Sequence, residues 1–403
     1  MTWPKGRHRG WLAAGLLGVC LATAGCWDRV EIQDRSFVLA AAVDVVEADA
    51  ENEPGKARVE SSGVAGPPLR YRVTLQVLRL GAGKAGEEKP GGETKTFLLS
   101  STGRNVFEAE RDMMGESSKA IWFENIQAVI LSQAVVERYG LAAPLDLFRR
   151  DGEMRWRAQV FVTAGEARKI LEVQLPTGEP GGIYLANVAR RHKKDTYLAA
   201  DRSDIGFATQ AVDNNADMIF PVLEPVGKSL KIKGGAMFMK NKFLGYMDEY
   251  TIQGLRLIRG TEKSALISFE CPLHPGNTVT FEVFRHDTIL KARGEGENVY
   301  FTLAIAMRGN IGEIQCQHLH DTRSKEYRLA AQELFAEEAR RNIEHTLALA
   351  QRLGWESFYL RQTLQAFEPK TWEKIRDRWD ELYPRIPVQV SVRVSVVNIG
   401  EHK

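Results

Sequence analysis

"SFVLAAAVDVV", Ser36–Val46, is the stretch whose reading decides the fold. It is an almost unbroken apolar run of strand length, and a strand patterned that way is covered on both faces, which places it at the centre of a sheet. Downstream, "RYRVTLQVLRL" (70–80) alternates instead. Tyr71, Val73, Leu75 and Val77 face a core, with Arg70, Arg72, Thr74 and Gln76 opposite, so a half-buried strand is expected. "ETKTFLLSSTG" (93–103) is expected to return as its antiparallel neighbour. The polar, Gly- and Pro-rich segment between Glu47 and Pro68 reads as a long exposed loop.

Strand and helix signals alternate from there. Asn105 with Glu108 resembles a capping box, and Val106, Ala109 and Met113 continue at helical spacing. "NIQAVILS" is a buried strand, "QAVVERYG" a short helix stopped at Gly140, and Pro144 starts another helix that runs into a turn at Asp151–Gly152. In "RWRAQVFVTAG" the inward set is Trp156, Ala158, Val160 and Val162, followed by a helix in "EARKILEV". Residues 26–175 are therefore expected to form an N-terminal mixed α/β domain.

Residues 176–262 are expected to be a connector or small middle domain, with "ARRHKKDTY" as a basic loop. Near its end, "KGGAMFMKNKFLGYMDEYTIQGLRLIRG" predicts a strand, a tight turn and a short helix capped by Asp248 and stopped at Gly260. Residues 263–403 read as an α+β domain. "SALISFEC", "TVTFEVFR" and "VYFTLAIAMR" suit an antiparallel meander, and a long helix from Ser324 to Leu353 carries Phe335, Ala339, Ile343, Leu347 and Ala350 as its apolar stripe. Pro369 opens a further helix with Trp372, Ile375, Trp379 and Leu382 on one side. Alternating valines from Val388 to Val396 make the last strand. The fold class is α+β and multi-domain, with mixed and antiparallel sheets and packed helices.

The first 25 residues are of another kind. Lys5, Arg7 and Arg9 precede an apolar run from Trp11 to Gly25, too short to span a bilayer comfortably and ending in the small residues Thr23, Ala24 and Gly25. That is a secretory leader. Cys26 directly after the small residues makes it a lipobox, in which the thiol carries diacylglycerol and becomes the mature N-terminus, although Thr23 stands where the pattern usually has leucine. An ordinary signal peptide or an uncleaved anchor is the plainer alternative. The chain would be held on a membrane surface without crossing it. Full-chain net charge is +2, and loss of the leader removes three of those cations, so nothing indicates nucleic acid as a partner. Cys271 and Cys316 remain in a compartment that permits disulfides, either bridged or as two buried thiols.

Chemistry-bearing motifs are sparse. Gly81, Gly83 and Gly86 have the dinucleotide spacing, but a turn-rich loop follows where a helix N-terminus is needed. In "CQHLHD", Cys316, His318 and His320 share a strand face about 7 Å apart, too widely spaced to meet on one zinc without bending. Solvated or packed histidines are the favoured reading there. Neither a G-x-S-x-G elbow nor an H-E-x-x-H helix occurs, and Glu337–Glu338 read as a solvated helix face. Trp372 and Trp379 share a stripe with Ile375, which favours core packing over sugar stacking. Arg190, Arg191, Lys193 and Lys194 could approach anionic headgroups or be solvated. No enzyme, cofactor or metal is expected, and Cys26, for lipid attachment, is the single site residue.

"GCWDRVEIQDRSFVLAAAVD" closely resembles the start of the Ger(x)C family, the C-subunit lipoproteins of bacterial spore germinant receptors. "TGRNVFEAERDM", "ENIQAVILSQAVVERYGLAAPLDLFRRDGEMR" and "VFVTAGEARKIL" resemble its N-terminal half; "KGGAMFMKNKFLGYMDEYTIQGL", "EPKTWEKIRDRWDELYP" and "VQVSVRVSVVNIG" resemble its C-terminal half. The loop at 47–68 and "LGWESFY" depart from the family pattern. The resemblance implies a three-domain fold of mixed sheets and helices and a non-enzymatic subunit, lipid-anchored on the outer face of the spore inner membrane. It implies two partners there, a membrane-embedded A subunit and a permease-like B subunit. The competing expectations are a lipoprotein that captures a nutrient or wall fragment, and a surface metallo-hydrolase using Cys316, His318 and His320.

Overall fold

The computed structural model describes residues 32–47, 69–79, 95–195, 200–261, 265–271, 274, 276–316 and 324–399. Cys26 with the leader, the Gly81–Gly86 motif, and His318, His320 and Asp321 lie outside them.

β1 (Arg35–Glu47), β2 (Leu69–Leu78) and β3 (Thr96–Gly103) form an antiparallel set, followed by α1 (Val106–Met113) and the short β4 (Ala120–Trp122). β5 (Ala128–Ser132), α2 (Gln133–Tyr139), α3 (Ala142–Arg150), β6 (Gln159–Thr163), α4 (Ala167–Glu172), α5 (Gly181–Asp195) and α6 (Ile205–Asp213) come next. β7 (Met218–Val226), β8 (Ser229–Met239) and β9 (Lys242–Met247) precede α7 (Glu249–Arg259). The first sheet has the order β3-β2-β1-β5-β6-β7-β8-β9, with β4 also beside β1. Strands β1, β5, β6 and β7 are mutually parallel, and hairpins extend both ends. Residues 176–262 thus hold α5, α6 and α7 together with three strands of this sheet.

β1 is buried on both faces, as its continuous apolar run predicts. Ala40 and Ala42 pack with Ile170 of α4 and Leu185 of α5, while Val38, Ala41 and Val43 pack with Met113 of α1 and Val135 of α2. A bulge between Val38 and Ala40 changes the parity, which is why Val38 and Ala41 share a face. The alanines are there for closeness. Gly182, in the first turn of α5, sits so near β1 that a Cβ would strike the Leu39 carbonyl.

Three expectations are corrected here. β2 is not half-buried, because Thr74 and Gln76 are 0% and 3% exposed. The Gly182 N–H donates to Gln76 Oε1 at 2.9 Å as α5 closes over that face, and the Thr74 hydroxyl meets that of Ser100 at 2.9 Å. Trp156 does not point inward. It is 56% exposed, since the strand begins only at Gln159 and the chain before it turns. The basic stretch around His192 is the last part of α5 rather than a loop.

The second sheet is β10 (Ala265–Glu270), β11 (Thr278–Glu295) and β12 (Asn298–Ile314) as a meander. After α8 (Lys325–Leu353), α9 (Leu360–Phe367), α10 (Pro369–Ile375) and α11 (Trp379–Leu382), β13 (Val388–Ile399) returns parallel to β12. The expected stripe Phe335, Ala339, Ile343, Leu347 and Ala350 is buried against Phe281, Phe301 and Leu303. Trp379 and Ile375 join the same core with Trp372 against it. The opposite face of β12 is exposed at Tyr300, Ala304, Ala306 and Arg308. Ile219 and Met237 of the first sheet belong to this core as well, so the two sheets share packing.

Candidate functional site: a buried polar seam and a thiol cluster

Where the two sheets meet, charged groups are buried together. α8 stops at Gly354 in the left-handed region (φ 68°), and the fully buried Trp355 follows. Its indole Nε1 donates to the Phe238 carbonyl of β8 at 3.1 Å, and its own carbonyl accepts from Tyr383 OH at 2.8 Å. The Glu356 N–H donates to Asp217 Oδ2 at 2.7 Å, while the Lys240 N–H donates to Asp217 Oδ1 at 2.8 Å. Glu356 Oε1 accepts from the N–H groups of Phe358 and Leu360 at 3.0 and 3.1 Å. Arg259, at the end of α7, donates through Nη1 to Asp201 Oδ1 at 2.6 Å and through Nε to the Ser357 carbonyl at 2.7 Å.

Burial raises the carboxyl pKa of Glu356 and of Asp217, against the pull of the backbone N–H groups they accept from and of Arg361. Burial acts on Asp201 too, but the charges of Arg259 and Arg256 outweigh it and hold that carboxyl below its ordinary value. Burial also pushes the Tyr383 hydroxyl up. These acids are directed at backbone donors and a guanidinium, so the arrangement serves to fix α7, α8 and the first sheet relative to one another. A related device sits at the end of β1. Asp44, 1% exposed, accepts from the N–H groups of Ala167 and Arg168 at 2.7 and 3.0 Å, and Arg72 approaches at 3.9 Å. Burial raises its carboxyl pKa despite those contacts.

Of the sequence-selected metal candidates, Cys316 is fully buried just past β12. It lies beside Cys271 and His274, and the ligand atoms of the three are all within 4.8 Å of one another. Cys271 and Cys316 are free thiols, not a bridge. The Cys-x-x-His spacing of Cys271 and His274 is the signal in the sequence for this grouping. Tyr327, near the start of α8, neighbours the cluster; burial, with charge on Cys316 and Cys271, pushes its hydroxyl up to about 12. Two further histidines are otherwise engaged: His286 Nε2 lies 2.8 Å from the Thr288 hydroxyl, and the His345 ring lies 5.9 Å from that of Tyr250.

A cleft of about 240 Å³ opens between α8 and the approach to β13, lined by Leu347, Gln351, Pro384 and Ile386. It falls short of the roughly 300–1,000 Å³ usual for a small-molecule site. No helix among the described residues is long and apolar enough to cross a membrane.

Two family models divide the chain between them. One described as the spore germination protein N-terminal domain matches residues 28–225, and one described as spore germination B3/GerAC-like, C-terminal, matches residues 233–400. This chain belongs to the Ger(x)C family of spore germination proteins. Ger(x)C relatives in Bacillus subtilis (strain 168) align along nearly the whole chain. The putative spore germination protein YfkR is 23% identical over 400 residues, covering 95% of this chain and 94% of its own. Spore germination protein B3 is 20% identical, covering 94% and 95%. The crystal structure of the GerBC protein superposes with a TM-score of 0.58 at 16% identity, over 90% of this chain and 98% of that one, and so shares the Ger(x)C fold. The boundary between the two Ger(x)C models, between residues 225 and 233, falls at the β7–β8 turn, inside the first sheet.

Proposed function

We propose that this spore germination protein is the lipid-anchored C subunit of a nutrient-germinant receptor, tethered by diacylglycerol on Cys26 to the outer face of the spore inner membrane. There it would assemble with the membrane-embedded A and B subunits and catalyse no reaction itself. The observation that carries this reading is the collinear match of both family domains, beginning two residues after the cysteine that ends an apolar leader.

The physical logic is one of confinement. Two acyl chains hold a protein at a bilayer where one is marginal. Restriction to that surface raises the effective concentration of the folded body towards partners in the same membrane without adding a contact. A rigid body suits such a role, and the buried seam of Asp201, Arg259, Asp217 and Glu356 supports rigidity between the two sheets. The test is crosslinking in isolated spore membranes followed by identification of the attached chains. Adducts with receptor A or B subunits are expected, and adducts confined to unrelated proteins would overturn the assignment.

A further inference from the structure

The geometry points to a metal site of class Cys2His, made by Cys271, His274 and Cys316, that takes a single zinc-like divalent cation and staples one end of the second sheet.

The meander brings the three residues together. β10, β11 and β12 are antiparallel, with Glu270 opposite Thr278 and Val279 opposite Ile314, so the β10–β11 loop and the exit of β12 lie at the same end of the sheet. Backbone bonds then fix each donor. The Cys271 N–H donates to the Asn277 carbonyl at 2.7 Å and the His274 N–H to the Cys271 carbonyl at 3.1 Å, and the two side chains lie beside each other. On the other strand, the Gln315 N–H donates to the Thr278 carbonyl at 3.1 Å, and the Gln315 side chain accepts from the Thr278 N–H at 2.8 Å. Cys316 is thereby held against the loop.

The spacing fits tetrahedral coordination. Zinc bonds of about 2.3 Å to sulfur and about 2.0–2.1 Å to nitrogen set neighbouring donors about 3.6–3.8 Å apart. Cys271 Sγ and His274 Nδ1 are 3.7 Å apart, and no pair in the cluster exceeds 4.8 Å, so closure by about 1 Å completes the cage. Two soft thiolates and an imidazole select zinc over the hard cations, which take oxygen ligands. On binding, each thiol gives its proton to solvent and the neutral imidazole coordinates through Nδ1. Both cysteines are buried while His274 is half-buried, so the fourth position opens on the solvent side, where water can complete the shell.

The experiment is metal analysis of the full chain expressed in zinc-supplemented medium, dialysed, and measured by plasma mass spectrometry. Cobalt titration of the demetallated chain accompanies it, read by the thiolate-to-cobalt charge-transfer band. Wild type is expected to retain about one zinc per chain and to develop the cobalt band. Cys271→Ser and Cys316→Ser are expected to lose both, and His274→Ala to lose most of the zinc. Circular dichroism checks that each variant is folded. Three results would overturn the site: a folded wild-type chain without stoichiometric zinc, a mass two hydrogens lower that shows the thiols joined as a disulfide, or zinc retained by all three variants.

Discussion

Arg259 and Asp201 form an ion pair in which neither side chain sees water: Nη1 and Oδ1 are 2.6 Å apart, and the side chains are 2% and 7% exposed. Removing Arg259 takes away the larger of the two charges that hold Asp201, Arg256 supplying the other, and breaking a buried pair in this way costs about 3–5 kcal/mol. Arg259→Leu should lower the urea midpoint accordingly, and a change below 1 kcal/mol would show the pair to be dispensable. The pH dependence has a definite sign. Asp201 is held below its ordinary value, so its contribution is present above about pH 4 and disappears as pH falls through the folded value. The acid limb of the stability profile should therefore be shallower in Arg259→Leu than in wild type.

Glu356 should behave in the opposite sense. Its carboxyl pKa is raised, so the charged form costs stability at neutral pH, and that cost fades as pH falls towards the ordinary glutamate value. Glu356→Gln keeps an oxygen to accept from Phe358 and Leu360 while removing the buried charge. The variant is expected to unfold at higher urea than wild type at pH 7, with the gap narrowing on acidification. Glu356→Ala should instead be destabilised by about 1–3 kcal/mol, because two backbone donors lose their acceptor. A glutamine variant weaker than wild type at pH 7 would contradict the assignment.

Gly182 tests the packing of α5 on β1. An alanine methyl there meets the Leu39 carbonyl, and a backbone group in a central strand has no room to yield. Gly182→Ala should cost about 1–3 kcal/mol of overpacking, although alanine is the better helix former. Thermal unfolding of the full chain reads this directly. An unchanged or higher midpoint would mean that α5 can ride up off the sheet.

Much of this fold is legible in the chain because a strand's environment is written in its own side chains. Ser36–Val46 is apolar at every face, and the structure places it mid-sheet; Val388–Val396 alternates, and β13 buries Val394 and Val396 on the helix side. What could not be read is burial imposed by distant elements. Gln76 looks like part of a solvent face until α5, more than a hundred residues later, covers it. The basic composition of Arg190, Arg191, Lys193 and Lys194 reads as a loop, whereas α5 runs on to Asp195, with Leu185 and Ala189 buried and Arg190 and Arg191 exposed. The thiol cluster was hidden for the same reason. The sequence sets Cys316 beside His318 and His320 along one strand, whereas the meander brings it to Cys271 and His274 of a neighbouring loop. Family membership itself was legible, because the matching segments keep their order over both halves.

Substitution of Cys26 by alanine separates the tether from the folded body, since the described structure begins beyond it. Cys26→Ala should move the protein from the membrane fraction to the soluble fraction of spore extracts and weaken germination, while leaving the urea midpoint of the body unchanged. Retention in the membrane at wild-type levels would contradict a lipid tether.

The most direct measurement is mass spectrometry of the N-terminal peptide of the protein isolated from spore membranes. The expected species begins at residue 26, with a diacylglyceryl thioether on its sulfur. A peptide that carries an unmodified thiol at that position, or still includes the leader, would contradict the claim that this protein works as a lipid-held receptor subunit.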